Sequence, residues 1–129
     1  NTPYRDPFSV NTALHYRRPI DAALLHEAAQ AFIGTHDFRA FMASGSDIAD
    51  TVRTVRSASV TRDGDYVYLR IAADGFLYNM VRIMVGTLLD INDGKIERDT
   101  LYDIISSKDR NKAGKTVSPE GLYLNKVNY

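Results

Sequence analysis

The sequence contains no cysteine, which excludes a disulfide scaffold, a thiolate metal site and a cysteine nucleophile. This absence fits a reducing compartment, and we expect a cytoplasmic protein. No apolar run approaches membrane-spanning length, and the first residues lack the charged-then-apolar pattern of a secretion signal, so we expect no membrane partner. Net charge is also lacking, because 16 Lys and Arg balance 16 Asp and Glu. Bulk charge therefore gives no sign of nucleic-acid binding.

Familiar catalytic motifs are missing as well. Neither common glycine-rich phosphate loop occurs, and no histidine pair or acidic cluster has the spacing of a metal site, so we expect no cofactor and no metal. His36 and Asp37 could form an oriented acid–base pair, although an aspartate in a loop more often caps the local backbone. The chain therefore has no self-sufficient catalytic constellation.

Hydrophobic periodicity divides the 129 residues into the elements of one domain. We expect helices over residues 22–33, with Asp21 as N-cap and Gly34 as the stop, from the Arg82 region to about 92, and over 98–106. We expect strands over 13–17, 52–62, 66–71 and 121–129, the last with Leu122 and Leu124 in the core, and loops over 1–12, 35–51 and 107–120. An Asp63-Gly64 turn should join the second and third strands into a hairpin.

Hairpin strands and helices are segregated in this order rather than alternating. The arrangement predicts an α+β fold, with a mainly antiparallel sheet and helices packed on one face, in preference to a doubly wound parallel sheet.

The most informative segment, residues 75–89, is apolar and carries one charge, on Arg82. Its pattern predicts a helix that is buried on most of its circumference. Because arginine keeps its proton, burying it without an anion or a set of acceptors would be costly. We therefore expect an acidic or anionic partner for Arg82 from the fold, another domain or a ligand, with a structural salt bridge as the alternative.

The same helix should align four residues on one polar stripe at four-residue intervals: Tyr78, Arg82, Gly86 and Asp90. The glycine would leave room for another backbone or a nucleotide to approach.

Aromatic residues beside arginines suggest a receptor for an unstacked nucleotide. The candidates are Phe38, Arg39 and Phe41 in the irregular loop, the nearby arginine run Arg53, Arg56 and Arg62, and then Phe76, Tyr78 and Arg82. Phe38 and Phe41 could equally be core residues that anchor the loop. The basic runs at 53–62 and 108–115 carry little weight alone, because such runs are usually solvated.

Four segments are distinctive in combination: Gly34–Phe41, Thr51–Thr54, Phe76–Arg82 and Glu120–Leu124. In their order and approximate spacing they resemble the C-terminal half of the bacterial tRNA pseudouridine synthase A family. The resemblance covers residues 3–129, and Phe-x-x-x-Met-Val-Arg is its most diagnostic part. It implies an isomerase that converts uridines in the tRNA anticodon arm to pseudouridine without cofactor or metal.

The resemblance also implies roles for individual residues. The family nucleophile is an aspartate in a Gly-Arg-Thr-Asp-Ala-Gly motif of the N-terminal half, and no Arg-Thr-Asp occurs in this sequence. Tyr4 does not match the family's active-site tyrosine. Arg82 would pair with the missing carboxylate and keep it ionised and oriented. We therefore expect this chain alone to be inactive.

Substrate contacts are expected from seven residues: Phe76, Tyr78, Asn79, His36, Phe38, Arg39 and Arg53. The expected partners are tRNA, the N-terminal half of the same enzyme and a second copy in a homodimer. Two other functions stay open at this point. One is a non-catalytic RNA-binding or dimerisation module, which needs no partner for Arg82. The other is a protein-interaction domain, which would show no salt-dependent RNA binding.

Overall fold

The computed structural model describes residues 8–14, 19–42, 50–64, 66–77, 79–97, 99–114, 116 and 122–127. In chain order its regular elements are β1 (Phe8–Leu14), α1 (Ala22–Ala29), β2 (Gly34–Asp37), β3 (Val52–Asp63), β4 (Tyr66–Ala73), α2 (Met80–Asn92), α3 (Leu101–Ser107) and β5 (Leu122–Val127). Short 3-10 turns occupy Gln30–Phe32, Arg39–Phe41 and Arg110–Lys112.

The strands form one five-stranded sheet in the order β2-β3-β4-β1-β5, and each neighbouring pair is antiparallel. The predicted hairpin is confirmed, because Asp63 pairs with Tyr66 and Gly64 between them has a φ of 62°. The C-terminal strand belongs to the same sheet, as predicted. The core contacts predicted for Leu122 and Leu124 lie outside the side chains that the structure describes.

The central strand β4 has one buried and one exposed face. Val67, Leu69 and Ile71 are buried, whereas Tyr66 and Tyr68 are exposed. The buried face joins the apolar side of the helices in a single core, and α1 packs against both β3 and α2. Among the described residues, the predicted α+β fold with helices on one face of an antiparallel sheet is therefore confirmed.

Helix α1 begins as the sequence predicts. Asp21 has an extended backbone, and its Oδ1 accepts a hydrogen bond from the Leu24 amide at 3.0 Å. This bond satisfies one of the donors that every helix leaves unpaired at its start. The α-helix ends at Ala29, earlier than predicted, and the chain reaches Gly34 through a 3-10 turn. Gly34 has a φ of 115°, a conformation that favours glycine.

Two predicted loops contain strands. β1 begins at Phe8 instead of Ala13 and pairs with both β4 and β5, so ladder hydrogen bonds on two sides stabilise a segment of loop-like composition. β2 lies inside the predicted loop 35–51 and pairs only with β3. At four residues it is too short to show an alternating pattern. None of the helices in the described ranges is long and apolar enough to span a bilayer.

Candidate active site at the start of helix α2

The first turn of α2 has an unusual N-cap. Asn79 adopts the left-handed conformation, with φ 59° and ψ 12°, and its side chain makes no capping hydrogen bond. Asparagine tolerates this conformation better than most residues. Its backbone carbonyl still accepts from the Ile83 amide at 3.0 Å. The side chain instead accepts a hydrogen bond from Arg82, at 3.2 Å between Nη1 and Oδ1. Asn79 thus orients the arginine instead of closing the helix.

Arg82 differs from its neighbours in burial. Every residue of α2 from Met80 to Ile91 is buried except Arg82, which is half-buried. The prediction of a helix buried on most of its circumference is therefore confirmed, and Arg82 itself is only partly buried. The reason is the start of the helix, because α2 begins at Met80 and leaves Arg82 in its first turn, at the margin of the core. A guanidinium in that place can meet a group that approaches from outside the domain.

The predicted polar stripe does not extend along the helix. Gly86 and Asp90 both lie in the buried part of α2, so neither continues a solvent-facing stripe from Arg82. Tyr78 lies outside the described residues. The partly exposed polar side chains are thus confined to the start of α2, at Asn79 and Arg82.

Arg53 lies beside the segment that leads into α2. Its Nη1 donates to the carbonyls of Asp50, at 2.9 Å, and Val52, at 2.7 Å. Its side chain crosses Gly75, where an added Cβ would lie 3.6 Å from Nε. Phe76, the next residue, is half-buried and packs against the core. The structure therefore brings Arg53 to the connection that carries Phe76 and Asn79 and leads into the helical turn of Arg82.

His36 pairs with Arg53 across β2 and β3, but its ring is engaged locally. Nε2 lies 3.0 Å from the carbonyl oxygen of Ile33, and the ring makes edge-to-face contacts with Phe38 and Tyr102. Asp37 has separate partners: its Oδ1 accepts from the Thr51 hydroxyl at 2.5 Å and from the Arg39 amide at 3.1 Å. The acid–base pair is therefore not formed, and Asp37 caps the local backbone, which was the stated alternative.

Phe38 and Phe41 belong to the core. Both have no exposed surface, and their rings contact each other with centroids 6.3 Å apart. A ring without exposed surface cannot stack on a base while the turn stays folded. The expectation that Phe38 contacts substrate is therefore corrected, and the alternative of a core anchor holds. Arg39, between them, is exposed.

The sequence analysis missed a contact between α2 and the basic loop. Thr87 Oγ1 accepts a hydrogen bond from the Gly114 amide at 2.8 Å and donates one to the Ile83 carbonyl, also at 2.8 Å. Gly114 is buried, and an added Cβ there would lie 2.6 Å from Thr87 Cα. Arg110 closes the loop by donating to the Gly114 carbonyl at 2.8 Å. The sequence offered two signals of this contact: a glycine within a basic loop and a threonine within an apolar helix.

Comparison with known proteins identifies the family to which the chain belongs. The sequence model of a family described as tRNA pseudouridine synthase matches residues 28–129, and the chain belongs to that family. Similar relatives carry the more particular name tRNA pseudouridine synthase A. The protein of Thermoanaerobacter sp. (strain X514) is 47% identical over 129 residues, which is 100% of this chain and 53% of the relative.

Two further relatives give the same result. The tRNA pseudouridine synthase A of Streptococcus thermophilus (strain CNRZ 1066) is 44% identical over 97% of this chain and 51% of its own length. That of Acetivibrio thermocellus (strain ATCC 27405) is 48% identical over 89% of this chain and 47% of its own length. The chain thus spans about half the length of the curated relatives it matches. In the described part of the chain, no group of three or more His, Asp and Glu residues could hold a metal ion.

Proposed function

We propose that this chain supplies the arginine side of the active site of a tRNA pseudouridine synthase that acts on uridine in the anticodon arm. The observation that carries the proposal is the position of Arg82, in the first turn of α2 at the margin of the core, with its guanidinium oriented by Asn79. The family match and the relatives' names support tRNA as the substrate class.

The reaction is an isomerisation, so no oxidant or reductant is required. The bond from ribose C1′ to N1 of uracil breaks, the base turns, and C1′ bonds to C5. C5 loses a proton and N1 gains one. The target base must leave its stack, and an ionised carboxylate must be held beside it as the nucleophile.

Arg82 serves that carboxylate, which a residue outside this sequence would provide. A guanidinium beside a carboxylate favours the ionised form and holds it in a defined plane through paired N–H donors. Because Asn79 is a neutral acceptor, it orients Arg82 without cancelling the charge that the carboxylate needs. Phe76 forms the adjacent wall of the pocket in this proposal.

Other contacts with the RNA come from the neighbourhood of Arg82. Arg53 and Asn79 lie on or beside the connection into α2, His36 pairs with Arg53 across β2 and β3, and Arg39 is exposed on the turn that follows β2. Tyr78, outside the described residues, completes the proposed substrate-binding set. Phe38 supports this surface from the core.

The test joins this chain to the part of the Thermoanaerobacter relative that it does not cover and measures tritium release from an anticodon-arm RNA whose uridine is tritiated at C5. We expect release from the joined protein and none from this chain alone. Arg82→Ala should lower the rate by about 100-fold or more, as loss of an active-site electrostatic contact does. Arg82→Lys should keep part of the rate, since a point charge can still pair with a carboxylate.

Lys95→Ala is the matched control, because it removes an exposed cation just beyond the other end of α2, and its rate should equal that of the parent. Release from this chain alone, or a normal rate for Arg82→Ala, would refute the proposal. Self-association as a homodimer and a cytoplasmic location belong to the same proposal and rest on the family resemblance. Sedimentation equilibrium of the joined protein measures the first, and a monomer at micromolar concentration would remove it.

A further inference from the structure

Two 3-10 turns that are distant in sequence lie against each other on the surface. The Arg39–Phe41 turn contacts the Arg110–Lys112 turn. Arg39, Lys108 and Lys112 are exposed, and we call these three residues the basic ridge. Folding therefore joins two sites that appear in the sequence as a single arginine and a separate basic run.

The loop that carries Lys108 and Lys112 is rigidly held. Asp109 caps its turn by accepting from the Asn111 amide at 2.9 Å. Arg110 binds the Gly114 carbonyl at 2.8 Å and the Thr116 hydroxyl at 3.1 Å, so its charge braces the loop from within. A solvated basic run has no need of such bracing, whereas a binding surface gains affinity when its charged groups are held in place before the ligand arrives.

The basic ridge and Arg82 are both connected to helix α2. Gly114 is joined to Thr87 of α2 by a hydrogen bond of 2.8 Å, and Thr87 lies about 140° around the helix axis from Arg82 and five residues along it, about 7.5 Å at 1.5 Å per residue. The Arg39–Phe41 turn also contacts α2. Both turns of the ridge are therefore attached to the helix that carries Arg82, and an RNA strand with one base at Arg82 would have to bend around α2 to bring its neighbouring phosphates to the ridge.

Two carboxylates beside these turns are occupied with backbone amides. Asp37 binds the Arg39 amide and Asp109 binds the Asn111 amide, so both carboxylates are turned toward their own turns. The cations exceed the acids in these two turns although the whole chain has no net charge. Such local excess is the electrostatic footprint that polyanion backbones recognise.

We propose that the basic ridge binds the phosphate backbone of the RNA strand that flanks the target uridine, and that it sets affinity and register without reading the base sequence. The inference rests on the proposed function, because it assumes that RNA reaches Arg82. It adds Lys108 and Lys112 to the proposed RNA contacts and assigns Arg39, already one of those contacts, to the phosphate backbone.

The test measures binding of this chain to a fluorescein-labelled single-stranded RNA with a uridine-rich sequence, by anisotropy over a range of salt concentrations. The double variant Arg39→Gln/Lys112→Gln removes two ridge charges. For single strands each lost phosphate contact lowers the slope of log K against log salt by about 0.7, so the slope should fall by about 1.4 and binding at 0.1 M salt should weaken about 25-fold. A neutral-backbone oligomer of the same sequence should bind both proteins equally.

The matched control is Arg70→Gln/Lys95→Gln, which makes the same change in net charge at two exposed residues outside the ridge. Its salt slope should equal that of the parent. Equal losses in the two double variants would overturn the proposal and assign the effect to overall charge. A parent chain that binds no RNA at low salt would also overturn it. Tritium release by the joined protein tests the proposed function separately, so the ridge can fail while that function stands.

Discussion

Gly114 gives the sharpest test of how the basic loop is held on α2. A Cβ at this position would lie 2.6 Å from Thr87 Cα and 2.8 Å from both Thr87 N and Asp90 Oδ2. Two of these three atoms are backbone atoms inside a helix, so they cannot rotate away as the end of a side chain could. Gly114→Ala must therefore push the loop off the helix or distort the helix itself.

The magnitude follows from two effects. Overpacking a well-packed site costs about 1–3 kcal/mol. Moving the loop also weakens the hydrogen bond between the Gly114 amide and Thr87 Oγ1, and a buried donor without its partner costs about 1–3 kcal/mol. Since the two effects share one displacement, we expect the free energy of unfolding to fall by about 2–4 kcal/mol in total.

Urea denaturation followed by circular dichroism measures this change, because the chain has no tryptophan to report by fluorescence. Gly75→Ala is the matched control: among the described residues its Cβ would meet only Arg53, at 3.6 Å from Nε and 3.8 Å from Cδ. These are ordinary contacts with a flexible side chain, so the control should lie within about 0.5 kcal/mol of the parent. Equal stabilities for the two variants would show that Gly114 does not approach α2 closely.

Three further substitutions test other parts of the structure, and urea denaturation measures each. Arg82→Ala should leave the chain folded and cost about 1 kcal/mol or less, because Arg82 is half-buried at the margin of the core and its hydrogen bond to Asn79 is only partly buried; an unfolded variant would show that Arg82 has a structural role. Phe38→Ala should lower the free energy of unfolding by about 3–5 kcal/mol, as truncation of a buried phenylalanine does, and a change near zero would show that Phe38 is not buried. Asp21→Ala should cost about 1 kcal/mol through loss of the N-cap, while Asp21→Asn keeps most of the stability; equal losses in the two variants would mean that the cap contributes nothing.

The sequence predicts best where a local pattern and the tertiary contacts agree. Asp21 caps α1 because its own side chain reaches the amide three residues on. The strand of alternating valine, leucine and isoleucine that ends in Ala73 follows from the period of two, and the Asp63-Gly64 turn fixes its register. Such features depend on neighbouring residues and need no knowledge of the rest of the chain.

Prediction fails where distant contacts decide the structure. β2 is a strand only because β3 lies beside it, and β1 is longer than predicted because it has partners on both sides. Apolar composition alone also does not mark where α2 begins, because Asn79 enters the left-handed region just before Met80. The candidate site follows the same rule: the sequence indicates Arg82, but its orientation by Asn79 and the meeting of the two basic turns appear only in three dimensions.

The position of β1 in the sheet has a consequence for folding kinetics. β1 lies between β4 and β5, so the first strand of the chain has no partner until strands from much later in the sequence are available. The β3–β4 hairpin closes a short loop and is expected to form early, whereas β1 must wait for that hairpin and β5 must then wait for β1. During synthesis β1 would emerge with both edges unpaired, and it would gain its second neighbour only after β5 had emerged.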